Sequence, residues 1–88
     1  MDTVWAVLYT AEAVRQIERL TGKTRRQVEF AISQIAAGVR RGKMLRGELF
    51  GTLSERVGNH RILYRDQEGR LTVLIVAVVH RRIAYGGH

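Results

Sequence analysis

The 88-residue chain has no cysteine and no proline. Without cysteine there is no disulfide and no thiolate metal site, so the fold must stand on packing or on a partner. Without proline, no prolyl isomerisation should slow folding. Acidic residues are scarce: 8 Asp and Glu face 15 Lys and Arg, for a net charge of +7. Long apolar runs are also missing. The longest, residues 71–79, is interrupted by Thr72 and is much shorter than a membrane span. Residues 4–8 are apolar but too few for a signal core, and Asp2 precedes them where a basic segment would stand. These features point to the cytoplasm and away from a membrane partner.

Several chemistries lack their residues. His60, His80 and His88 have no metal-ligand spacing, no cysteine and no evident carboxylate partners, so no metal or other cofactor is expected. Ser54 has no adjacent histidine–carboxylate pair, which argues against a hydrolytic triad. The glycines form neither a GxGxxG motif nor a P-loop. Trp5 alternates with Val7 and Tyr9 and reads as sheet core rather than a base-stacking platform.

What remains is one small, basic domain spanning residues 1–88. A chain of this size buries roughly 60–65% of its unfolded surface, so its core is thin. Thirteen of its fifteen basic residues are arginine; the two lysines are Lys23 and Lys43. Arginine binds phosphate through a planar fork and keeps its charge in any site. A small domain with this balance attracts nucleic acid, anionic lipid or an acidic protein.

Residues 4–9 (VWAVLY) read as a strand. Thr10 caps a helix with Glu12 in its first turn, a stripe of Val14, Ile17 and Leu20, and an end at Gly22. Thr24 and Gln27 fit a capping box that opens a second helix. Its stripe is Val28, Ile32, Ile35 and Val39, and Gly42 is its stop. After a loop over residues 43–51, two strands (53–57 and 60–65) flank Gly58-Asn59, a glycine-first connection suited to a type II′ turn. Residues 66–69 form a further turn, and residues 71–79 an apolar strand suited to the middle of a sheet. The expected fold is α+β: a two-helix hairpin on a small, mostly antiparallel four-stranded sheet, in the order β-α-α-β-β-β.

The hairpin has a geometric consequence. With Gly58-Asn59 as its turn, Arg56 lies opposite Arg61, with Cβ atoms about 4.5–5.5 Å apart. Two guanidiniums there repel and cannot deprotonate, whereas a bound phosphate turns the repulsion into a clamp. The bland reading is that both splay into solvent. His80, Arg81 and Arg82 end the neighbouring apolar strand, with Tyr85 close behind. Convergent arginines with a phenol and no carboxylate suit a phosphodiester better than a carbonyl or a sugar. The alternative is a basic cap that keeps the sheet end soluble.

The segments Tyr9-Thr10, Gly42 to Gly47 (GKMLRG), Arg56 to Tyr64 (RVGNHRILY) and His80-Arg81-Arg82 with Tyr85 occur in an order that resembles the RelE/ParE superfamily of type II toxin–antitoxin toxins. The likeness runs over residues 4–85, nearly the whole chain. It implies a ribosome-dependent mRNA endoribonuclease acting in the ribosomal A site without metal, with the RNA 2′-hydroxyl attacking the adjacent phosphate. By position, Arg61 and Arg81 match the family's phosphate-stabilising arginines, and Tyr85 the tyrosine proposed as general base. Arg56 falls where the best-known members have a lysine, and Arg46 matches a basic loop residue. Lys43, Ser54, His80 and Arg82 complete the expected RNA-binding set.

The departures concern proton transfer. A second family lysine falls on Ser54, arginine at position 56 is a poor proton donor, and Arg81 and Tyr85 are closer together than usual. His60 and His80 are alternative acid–base groups, since histidine titrates near neutral pH. Two rival functions remain: a ParE-like inhibitor of DNA gyrase, and an inactive toxin kept as a binding and repression module. Each version implies an acidic antitoxin, partly disordered when free, and the resulting hetero-oligomer is a candidate to bind operator DNA.

Overall fold

The computed structural model describes residues 4–82. In chain order the elements are β1 (Ala6–Tyr9), α1 (Ala11–Glu18), α2 (Gly22–Ala36), β2 (Lys43–Met44), β3 (Leu53–Val57), β4 (His60–Gln67) and β5 (Thr72–His80). Short 3-10 turns lie at Gly47–Leu49 and Glu68–Arg70. The strands form one sheet in the order β1-β5-β4-β3-β2. β1 runs parallel to β5, and every other pairing is antiparallel.

The α+β class stands, but the expected four-stranded, mostly antiparallel sheet is corrected to a five-stranded mixed one. The added strand, β2, is two residues long, too short to carry any hydrophobic alternation. The parallel pairing arises because the β3–β4–β5 meander sets the direction of β5. The helices then return β1 to its free edge. The apolar strand does sit inside the sheet, between β1 and β4.

Thr10 caps α1 as expected: its Oγ1 accepts from the Ala13 N–H at 3.1 Å and donates to the Val76 carbonyl at 2.6 Å. The buried stripe, however, is Ala13 and Ile17 with Leu20 partly buried, and Val14 is exposed. Alanine is too small to announce a buried position, so the larger Val14 misled the pattern.

α2 starts three residues earlier than the capping box placed it. Thr21 flanks it without a side-chain cap bond, and Gly22 is its first residue rather than the end of α1. Gly38, at φ 76°, ends it. The Gly38 N–H donates to the Ile35 carbonyl and the Val39 N–H to Gln34, the paired bonds of a Schellman motif. Val39 therefore lies past the helix and is 73% exposed, instead of extending its buried stripe.

Gly42 has a different task from the expected helix stop. A Cβ there would collide with the backbone of Ser54. Its N–H donates to the buried Tyr64 hydroxyl at 2.7 Å. The core between helices and sheet is built from Val28, Ile32 and Ile35 of α2, Ala13 and Ile17 of α1, and Leu53, Val57, Ile62, Tyr64, Val73, Ile75 and Val78 of the strands.

Candidate nucleic-acid interface

Residues paired directly across strands share a face, and successive residues alternate. The pairings sort the side chains into two sets. Leu53, Tyr64, Ile75 and Tyr9 form a row facing the helices, as do Glu55, Ile62 and Val78. The opposite, open face carries the rows Lys43–Ser54–Leu63–Ala77, Arg56–Arg61–Val79 and Arg65–Leu74–Leu8. β5 holds one extra residue, Val76, between the partners of Leu63 and Tyr64, and this keeps both of its halves in phase.

Gly58 has φ 59° and Asn59 is not left-handed, the signature of a type II′ turn. The hairpin register then sets Arg56 directly against Arg61, as the sequence implies. Val57 and His60 close the turn, which makes Arg56–Arg61 the next, non-hydrogen-bonded pair, where side chains approach most closely. Arg56 Nε donates to the Gly58 carbonyl at 3.3 Å, and Arg61 Nη1 to Ser54 Oγ at 3.4 Å. Among the described residues neither guanidinium has a carboxylate partner. No strand residue of the open face is acidic.

Arg81 lies two residues beyond Val79, the partner of Arg61. Its N–H donates to the Asn59 carbonyl at 2.7 Å, which ties it to the turn beside the arginine pair. Lys43 shares a row with Ser54 and is exposed. Arg46 is exposed in the β2–β3 loop and makes no bond to the arginine pair. Tyr85 lies outside the described residues.

A family model for the ParE toxin of the parDE type II toxin–antitoxin system matches residues 7–85. The chain belongs to the RelE/ParE superfamily of toxins. It is 39% identical over 83 residues to Toxin RelG of Mycobacterium tuberculosis, covering 92% of this chain and 95% of that one. Toxin RelE of the same organism is 34% identical, covering 96% of this chain and 89% of its own length. The crystal structure of the RelBE2 toxin–antitoxin complex from M. tuberculosis contains a chain with TM-score 0.79 and 37% identity. The match covers 94% of this toxin and all of that chain. A chain of the Escherichia coli RelBE complex, 16% identical with TM-score 0.75 over 86% of this toxin and 95% of that chain, shares the fold.

On the helix-covered face of this RelE/ParE toxin, arginine behaves differently. Arg40 binds Glu55 and also reaches the Arg56 carbonyl and Gln34, while Arg41 pairs with Asp66 at 2.6 Å. His60 and His80 are directly paired in the row of Val57, on this face, with ring centroids 5.2 Å apart. Register thus separates His80 from the Arg56–Arg61 side. Its Nδ1 accepts from the Arg82 N–H at 3.2 Å, and the Arg82 side chain is exposed at the strand end. Burial, and then the neighbouring His80, hold the His60 pKa below the ordinary histidine value.

Among the described residues no group of three or more His, Cys, Asp or Glu could hold a metal ion, and no helix is long and apolar enough to cross a membrane. One member of the basic face escaped the sequence reading. Arg65 is on the same side as Arg61, is exposed and donates from Nε to Thr52 Oγ1 at 3.1 Å. The alternation Arg61-x-Leu63-x-Arg65 is the signal that could have found it.

Proposed function

We propose that the toxin is a ribosome-dependent mRNA endoribonuclease that cuts without metal. The observation that carries this reading is the Arg56–Arg61 pair. It is closely opposed, has no carboxylate partner among the described residues, and is flanked by Arg81 at the turn. Directly opposed like charges weaken a strand pair by roughly 0.2–1 kcal/mol, and a phosphate between them reverses the sign. The RNA 2′-hydroxyl attacks the adjacent phosphorus, the bond to the 5′-oxygen breaks, and a cyclic phosphate and a free 5′-hydroxyl result. Arg61 and Arg81 stabilise the charge that builds on the phosphate. Arg56, Arg46, Lys43 and Arg82 hold the RNA backbone. Guanidinium does not exchange protons near neutral pH, so proton transfer falls to another group, and Tyr85 is the family's candidate.

The physiological partner is an antitoxin. The net charge of +7 favours an acidic one, and the structural relatives RelBE2 and RelBE are toxin–antitoxin complexes. A second reading, inhibition of DNA gyrase, is favoured by the ParE family model. Mapping RNA ends in translating cells after toxin induction separates the two. Codon-phased cuts support the nuclease. DNA damage with intact messages overturns it.

A further inference from the structure

Two hydroxyls on β3 and its approach, Thr52 and Ser54, lie on the open face, 3% and 5% exposed. They are two residues apart on one strand line and so about 7 Å from each other. Each holds one β4 arginine. Thr52 stands one step beyond the Leu53–Tyr64 pair, opposite Arg65, and its Oγ1 accepts from Arg65 Nε at 3.1 Å. Ser54 Oγ accepts from Arg61 Nη1 at 3.4 Å.

A hydroxyl orients a guanidinium without neutralising it, whereas Glu55 and Asp66 on the other face both orient and neutralise theirs. Anchoring through Nε leaves both Nη groups of Arg65 for a ligand; anchoring through Nη1 leaves Nε and Nη2 of Arg61. Oriented, fully charged forks are suited to phosphate oxygens.

We propose that Thr52–Arg65 and Ser54–Arg61 form two adjacent phosphate subsites that grip successive phosphates of one RNA strand lying across β3 and β4. This rests on the RNA reading above and deepens it. Arg65 is a new ligand-binding residue, and Thr52 and Ser54 are positioning residues. Serine where the best-known members carry lysine thus serves to aim Arg61. RNA fits this patch better than a protein, because a protein interface needs exposed apolar anchors at its centre. Between the two subsites Leu63 and Ala77 are buried, Leu74 and Val79 in the arginine rows are half-buried, and the exposed apolar side chains stand at the margins, Leu8 on β1 at the far end of the Arg65 row and Phe50 in the loop before Thr52.

The test is the salt dependence of binding to a short, dye-labelled, single-stranded 2′-O-methyl RNA, which binds but is not cut. For single strands the slope of log K against log salt is about 0.7 per phosphate contact. Arg65→Ala and Arg61→Ala should each reduce the wild-type slope by about that amount. Thr52→Val should weaken binding less than Arg65→Ala and abolish the protected Arg65 Nε–H signal in NMR, and Thr52→Ser should restore both. A smaller slope in Arg61→Ala with a wild-type slope in Arg65→Ala overturns the second subsite and leaves the RNA reading intact. Absence of salt-dependent RNA binding by the wild type overturns both. Arg65-dependent binding of oligoglutamate with no binding of RNA also overturns the subsites, and assigns the face to an acidic protein.

Discussion

The two faces of the sheet use the same residue in opposite ways. Toward the helices, Arg40 and Arg41 meet Glu55 and Asp66, and their charge is spent locally. On the open face, Arg56, Arg61 and Arg65 meet a carbonyl and two hydroxyls, and their charge is kept. The difference shows that net charge alone does not identify a binding surface. What marks a candidate surface is arginine held in place by groups that cannot neutralise it.

The largest expected effect comes from deleting a charge on the open face. Arg61→Ala should fold, bind its antitoxin and lose on the order of 100- to 1000-fold in cleavage rate, as removal of one preorganised donor generally does. Single-turnover cleavage of ribosome-bound message measures it. Loss of stability in place of activity would erase the contrast between the faces. Next comes Gly42→Ala, whose Cβ would strike the Ser54 backbone and displace the N–H from the Tyr64 hydroxyl. Overpacking of this kind costs about 1–3 kcal/mol, readable by urea denaturation.

A pair of variants sharpens the comparison directly. Arg40→Ala strands the largely buried Glu55 carboxylate and should destabilise by about 1–3 kcal/mol. Arg56→Ala removes a like charge facing Arg61 and should leave stability unchanged or raise it by up to about 1 kcal/mol, while weakening RNA binding. Equal losses of stability in both variants would show that the two faces do not differ.

The smallest effect concerns pH. The folded-state pKa of His60 lies below its unfolded value, through burial and then through His80. The fold therefore favours neutral His60. Its contribution is present above the unfolded histidine pKa of about 6.5 and is lost as pH falls through the depressed folded value. His60→Asn should flatten the acid side of the stability profile in thermal melts across that range.

Much of this was legible in the sequence because it is local. The Gly58-Asn59 turn sets the hairpin register, and that register alone opposes Arg56 and Arg61. The Thr10 cap depends on a hydroxyl three residues from its donor. What escaped is either long-range or too short to have a period. The parallel β1–β5 pairing joins residues more than sixty positions apart, and β2 has two residues. The α2 boundaries slipped because Thr24 mimics a cap, while the real stop at Gly38 hides before an apolar Val39. Arg65 was passed over because its anchor, Thr52, precedes β3 and joins the site only through the fold.

The most direct measurement uses purified ribosomes carrying a defined message, with a chelator present, and compares wild-type toxin with Arg61→Ala. Wild-type toxin should cut the message in the A-site codon, leaving a cyclic phosphate and a 5′-hydroxyl, and the variant should barely cut at all. An intact message with the wild type, or equal cutting by both proteins, would contradict the account.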